Sequence, residues 1–324
     1  MSHPRIPNRL PHLALCGMLL ACTVESAGGT TGPAPTGDAK ATAGDVAAAD
    51  ATGSHDGTML DQPAAADAGA DAASDLAADA SASGTIAIYL LGDHQPQSFA
   101  DGLQGQTASE FQVALSRYVV LKGADDPAPQ PCFDHGDQPV VADLQGDKLM
   151  GLCPASAIAT GLYTHGRVKV DWARYTVQGQ LHYGATTLPG KFTFLRAWSD
   201  TTVAGKAYKA GTGTLRFRDV SGTVDNEVPY AYPPFPAMTG IATQTIGGEF
   251  LMTFAYQKAL PVVQGAAGSY WARFHWHVWQ AFRWQDSAGA AFGPGIWDVV
   301  PPPGLSETVL MAGLSGYHVS SSVD

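Results

Sequence analysis

From Gly84 onward, apolar residues recur at the two-residue period of β-strands, and no stretch carries the spacing of a long amphipathic helix. Thr85-Ile86-Ala87-Ile88-Tyr89-Leu90-Leu91 consists of strand formers and is apolar at odd and even positions alike, which predicts a strand buried on both faces. Phe111, Val113 and Leu115 alternate with polar partners and lead into a second strand at Tyr118-Val119-Val120-Leu121. Residues 140–144 and 149–153 flank Gln145-Gly146-Asp147, a pattern that predicts a hairpin. Further strands are expected at 167–172, 175–183, 191–198, 214–220 and 249–256, with 296–300 and 308–314 closing the sheet system. Tyr230-Ala231-Tyr232-Pro233-Pro234-Phe235-Pro236 is too rich in proline for a central strand and is expected to be a connector or an edge covering. Many short strands separated by Gly/Pro turns predict an all-β fold, an antiparallel β-sandwich or barrel-like single domain over 84–324. A boundary near 184–190 is conceivable, but no linker-like composition marks it.

The longest strand signal runs from Tyr270 to Trp284 and separates by strand period into two faces. Tyr270, Phe274, Trp276, Val278, Phe282 and Trp284 form an apolar face that should be core. Trp271, Arg273, His275, His277, Trp279 and Arg283 form the other. His275 and His277 therefore point the same way, a geometry that can chelate zinc or copper if further ligands join. His165, His182 and Glu249 are candidates for those ligands, and only the fold can place them. Trp271 and Trp279 bracket the histidines, and aromatic platforms flanked by arginine suit sugar rings or a protein partner. Packing beneath the long connectors is the favoured alternative for the same residues, because large exposed apolar patches are uncommon on monomers.

The first 83 residues are of another character. Arg5 and Arg9 precede a short apolar run, Leu13-Ala14-Leu15-Cys16-Gly17-Met18-Leu19-Leu20, which has the layout of a secretory signal over residues 1–21. That run is far shorter than the ~20 residues a membrane helix needs. Its end, Leu19-Leu20-Ala21-Cys22, resembles the lipobox of bacterial lipoproteins. The resemblance implies cleavage before Cys22, a diacylglyceryl thioether on its sulfur and an acyl group, such as palmitate, on its amine; Cys16, inside the apolar run, is the weaker candidate. Two or more acyl chains make a stable anchor where one is marginal. Thr23 stands where some lipoproteins carry the Asp that retains them in the inner membrane, so the resemblance favours the outer membrane of a bacterial cell envelope.

Residues 22–83 follow as an acidic Ala/Asp/Gly-rich tether. After Cys22 it has ten acids, one lysine and no aromatic residue. Such a segment cannot bury enough apolar surface to offset its ordering entropy and is expected to be disordered, spanning about 45 Å as a flexible coil. It would hold the domain off the membrane.

The whole chain carries a net charge of −11, most of it in this tether, so residues 84–324 retain only −4. With no basic surplus, nucleic acid is an unsuitable partner. Of the four cysteines, Cys132 and Cys153 remain in the body, and an even pair in an exported chain predicts a disulfide. There is no Gly-x-Ser-x-Gly elbow, phosphate loop, dinucleotide fingerprint or His-Glu-x-x-His in the chain. Asp134-His135-Gly136-Asp137 and Asp225-Asn226-Glu227 offer oxygen ligands without the spacing of a calcium loop.

A Gly-Thr-led first strand, a short Val-x-x-Asp-Leu strand and a Gly-x-Tyr-Thr step into a strand, together covering about 84–172, resemble β-sandwich domains of unknown function in bacterial envelope lipoproteins. That resemblance implies a fold and no functional residues. The expected protein is thus a lipid-anchored envelope lipoprotein. It carries a non-catalytic binding or structural domain, has a protein or glycan ligand, and needs no cofactor. The alternative is a metal-assisted envelope enzyme using His275 and His277.

Overall fold

A computed structural model describes residues 84–232, 238–264, 268–287, 289, 292–301 and 304–322. The signal segment, the tether and the lipidation site Cys22 lie outside the described residues, as do Pro233 to Pro236 of the proline-rich connector.

The strands in chain order are β1 (Thr85–Asp93), β2 (Gln104–Gln106), β3 (Glu110–Leu121), β4 (Gln130–Asp134), β5 (Val140–Asp143), β6 (Asp147–Pro154) and β7 (Gly161–Tyr183). There follow β8 (Thr186–Ala197), β9 (Thr201–Val203), β10 (Lys206–Tyr208), β11 (Gly213–Asp219), β12 (Asp225–Pro229), β13 (Ile241–Ile246) and β14 (Glu249–Val262). The last are β15 (Tyr270–His277), β16 (Phe282–Trp284), β17 (Asp298–Val299), β18 (Val309–Met311) and β19 (Gly316–Ser321). One short 3-10 turn, Ala155–Ala157, is the only helical element among the described residues. The fold is all-β, as the alternation predicts, and its sheets do not close into a barrel.

The long strand β7 is the spine of the larger sheet. Its first half pairs with β14 and its second half with β8, along one edge. Its other edge is taken by β3 and then, in parallel, by β17. The larger sheet therefore runs β12-β11-β8-β7-β14-β13, with β3 attached to β7. A smaller sheet runs β19-β15-β1-β6, and in it β1 and β15 are parallel. Its inner face delivers Ile86, Ile88, Leu90, Phe274, Trp276 and Val319 into one core with Tyr118, Val168, Phe254 and Tyr256 of the larger sheet. Phe274 is the centre of this layer, meeting Tyr118, Phe254 and Tyr256 at ring-centroid distances of 5.8, 5.4 and 6.2 Å. The Tyr118 and Tyr256 hydroxyls hydrogen-bond to each other in the buried layer. Only a glycine fits at position 166 below them, since a Cβ there would stand 2.3 Å from the Tyr118 oxygen. A second aromatic layer, built from Phe192, Phe194, Phe282 and Trp297, fills the other half of β7 and β8.

Four expectations are corrected. β1 is not buried on both faces: Ile86, Ile88 and Leu90 are covered, while Tyr89, Leu91 and Asp93 are half-buried on the outer face. The stretch around Gln145-Gly146-Asp147 is not a hairpin, because β5 pairs with β3 and β6 crosses to pair with β1 in the other sheet. The segment with Pro127, Pro129, Pro131 and Pro139, whose prolines read as a loop, contains β4, with Pro131 tolerated because β4 is an edge strand bonded only to β3. The signal from Tyr270 to Trp284 breaks into β15 and β16 at a turn in which Gln280 has φ 44°.

Cys132 of β4 and Cys153 of β6 form a disulfide. Since β4 belongs to the larger sheet and β6 to the smaller, the bond staples the two layers. Positions 184–190 lie in the β7–β8 hairpin, where Tyr183 faces Thr186.

Candidate functional site

Strand β15 sits second in the smaller sheet, between β19 and β1. Its alternation has the expected phase. Ala272, Phe274 and Trp276 are buried, while Trp271, Arg273, His275 and His277 are half-buried on the outer face. Trp279 and Arg283 do not extend that face. Trp279 stands half-buried in the turn after the strand, and Arg283 belongs to β16 and is buried. The Arg283 guanidinium bonds the Asp101 carboxylate and the Leu103 carbonyl and lies 4.0 Å from the centre of the Phe99 ring. It clamps the loop before β2 rather than facing a ligand.

Arg273 lies over two rings, Tyr89 on β1 at 5.1 Å and Trp271 on its own strand at 5.5 Å. The same guanidinium reaches Asp147 of β6 at 2.8 Å. Tyr89, Trp271 and Arg273 thus form a stack, each half-buried. A cation over a ring of this kind is worth about 0.5–1 kcal/mol at an exposed site.

Next to the stack lies an imidazole cluster. The parallel register sets Asp93 opposite His277, and the antiparallel register sets His318 of β19 opposite His275. His277 Nε2 is 3.0 Å from His318 Nδ1 and 3.5 Å from Asp93 Oδ2. The Asp93 carboxylate is steadied through its other oxygen, Oδ1, which accepts the Gln95 N–H at 2.9 Å. His275 stacks on His318 with ring centroids 4.0 Å apart and planes 14° from parallel, and its Nε2 meets Ser320 Oγ at 2.8 Å. Burial holds both motif histidines in the neutral form. It is the largest cause of the lowered pKa of His277, and with the neighbouring His318 it brings His275 down to about 4. Both therefore keep a nitrogen lone pair at neutral pH.

None of the ligand candidates taken from the sequence joins this cluster. His165 lies on β7 beside Thr164, its Nδ1 2.8 Å from the hydroxyl. His182 lies at the far end of β7, where it meets the fully buried Asp298 at 2.5 Å and Thr187 at 3.1 Å, fastening β17 to the β7–β8 hairpin. Glu249 opens β14 and pairs with Arg117 and Lys169. Asp134 and its neighbours form a turn in which the Gly136 N–H donates to Asp134 Oδ1 and His135 bonds the Met150 carbonyl. Asp225 and Glu227 lie on β12, paired with Arg216 and Lys206. The Lys206–Glu227 pair also lines the cleft beside the β9–β10 hairpin, together with Arg174, Tyr208 and Arg216.

The residues that do converge on His277, Asp93 and His318, were not among the sequence candidates. A weak signal existed for each. Asp93 ends the β1 apolar run on its outward phase, and Tyr317 and Val319 alternate with His318 and Ser320. No family model, no curated protein and no solved structure matches the chain.

Proposed function

We propose that this is a lipid-anchored protein of the bacterial cell envelope, held at Cys22, whose β-sandwich is a non-catalytic module that binds a protein partner through the outer face of the smaller sheet. The observation that carries the binding half is the stack of Tyr89, Arg273 and Trp271 on that face. Arginine, tryptophan and tyrosine are the side chains that dominate protein-binding hot spots. Sugar recognition needs a bare ring face, and here the guanidinium already lies against both rings, which favours a protein over a glycan. The anchoring half draws on Leu19-Leu20-Ala21-Cys22 and on the change of composition at Gly84, one residue before β1 begins. An outer-membrane location is the preferred one, on the strength of Thr23.

Fractionation and site-directed photo-crosslinking in the native cell test both halves. The wild-type protein should sediment with membranes, and Cys22→Ala should move it to the soluble fraction. A photo-crosslinker placed at Trp271 should give discrete adducts with envelope proteins that Arg273→Glu reduces at least tenfold. A crosslinker at Tyr183, an exposed residue at the β7–β8 turn, serves as the control. Wild-type protein in the soluble fraction would refute the anchor, and equal adducts from positions 271 and 183 would refute the binding face.

A further inference from the structure

Three neighbouring strands bring one oxygen and two nitrogens to a common point. Asp93 Oδ2 comes from the end of β1, His277 Nε2 from the end of β15 and His318 Nδ1 from β19, and all three atoms lie within 4.8 Å of one another. Ligands bound to a tetrahedral ion at 2.0–2.1 Å stand about 3.3 Å apart. The observed separations of 3.0 Å between the two nitrogens and 3.5 Å between nitrogen and oxygen bracket that value. Seating an ion would open the direct His277–His318 hydrogen bond and turn both rings at their side-chain torsions.

The surroundings are arranged for these atoms. Gly316 stands opposite His277 in the β15–β19 register, and a Cβ there would come within 3.0 Å of His277 Nδ1. The missing side chain leaves the ring room to lie across toward β19. His318 is held in plane by the stacked His275, which is itself tied to Ser320. Asp93 has one oxygen engaged by the Gln95 amide and the other turned to His277. The Asp93 and His277 side chains are 14% and 22% exposed, so an ion can enter from solvent and still be partly shielded.

We infer that Asp93, His277 and His318 form a binding site for one divalent transition-metal ion of the zinc class, with a fourth position open to water or to a group from a bound partner. Two imidazoles and a carboxylate suit borderline ions such as Zn²⁺ or Co²⁺; Ca²⁺ and Mg²⁺ demand oxygen ligands. His275 is a positioning residue in this site. The His-x-His spacing therefore does not name the ligand pair: one of its histidines binds, and the other buttresses the third ligand from the next strand. The site stands independently of the membrane anchor and of the partner proposed for the neighbouring stack.

The test is titration of the untagged full chain with Co²⁺, followed by visible absorption, and with Zn²⁺ in competition. Wild type should take up one equivalent with the intense visible bands of tetrahedral Co²⁺. His318→Ala and the near-isosteric Asp93→Asn should each lower the affinity at least tenfold, and His277→Ala should abolish binding. His275→Ala should retain one equivalent and a similar spectrum, with affinity lowered roughly 10–100-fold as for a supporting group around a metal. Near-ultraviolet circular dichroism checks that each variant is folded, and Asp93→Asn changes the least volume if a histidine variant is not. No saturable uptake by the wild type would overturn the proposal. So would affinity insensitive to both His318→Ala and Asp93→Asn, or binding lost in His275→Ala but kept in His318→Ala.

Discussion

Replacing Cys132 with Ser and Cys153 with Ala unties the two layers of the sandwich at one point. Ser is chosen at position 132, which is half-buried, and Ala at position 153, which is fully buried and would strand a hydroxyl. The bridged cysteines are 21 residues apart. Loop-closure entropy for that length puts the stabilisation at about 3.3 kcal/mol at 25 °C. This is a roughly 200-fold change in the folding equilibrium. For a domain of this size, with a urea slope of about 2–3 kcal/mol/M, the unfolding midpoint should fall by about 1–1.5 M. Equilibrium urea unfolding of oxidised wild type against the double variant measures it directly. Reduction of the wild type should give a similar loss, because it removes the same cross-link. A midpoint that moves by less than about 0.3 M would refute the reasoning. It would mean that the contacts of β4 and β6 already restrain the ends of the loop in the unfolded chain.

Other outcomes follow from the core and its tyrosines. Gly166→Ala should cost about 1–3 kcal/mol by overpacking, since its Cβ would fall 2.3 Å from the Tyr118 oxygen and 2.7 Å from the Tyr256 oxygen; an unchanged urea midpoint would contradict this. Tyr118→Phe leaves the Tyr256 hydroxyl buried without its partner and should cost about 1–3 kcal/mol, whereas Tyr118→Phe combined with Tyr256→Phe should recover most of the loss in a double-mutant cycle. Burial raises the pKa of Tyr118, Tyr175, Tyr232 and Tyr256 above the ordinary tyrosine value. A group raised in the folded state contributes stability that is complete below its unfolded pKa near 10 and is lost as pH climbs above that value. In alkaline titration these tyrosinates should therefore appear together with the loss of near-ultraviolet circular dichroism, and ionisation of all tyrosines in a still-folded protein would contradict the assignment.

Local alternation made the strands and their faces legible, and it left their partners hidden. The phase of Trp271, Arg273, His275 and His277 against Ala272, Phe274 and Trp276 could be read directly, because one face of β15 is core and the other meets solvent. The pairing of β15 with β1 could not: it joins residues 270–277 to residues 86–93, and nothing local encodes a parallel register over that separation. Asp93 was invisible as a neighbour of His277 for that reason. His318 was missed because β19 is short and follows a Gly/Ser turn. The apolar outer residues Ala87 and Leu91 made β1 look doubly buried, although only its even positions are covered. The expected hairpin at Gln145-Gly146-Asp147 failed for a related cause. A short polar turn between two apolar runs looks the same whether the runs pair with each other or cross to different sheets. The disulfide was legible as a pair by counting cysteines, while its role as a bond between the layers depended on β4, which Pro131 concealed.

The claim that three strands converge on one ion is tested most directly by anomalous diffraction from a crystal soaked in Zn²⁺, recorded on both sides of the zinc edge. A single strong peak is expected within bonding distance of Asp93 Oδ2, His277 Nε2 and His318 Nδ1, with His275 still stacked behind His318. A peak coordinated by His275, or no peak between these three side chains at saturating zinc, would contradict it.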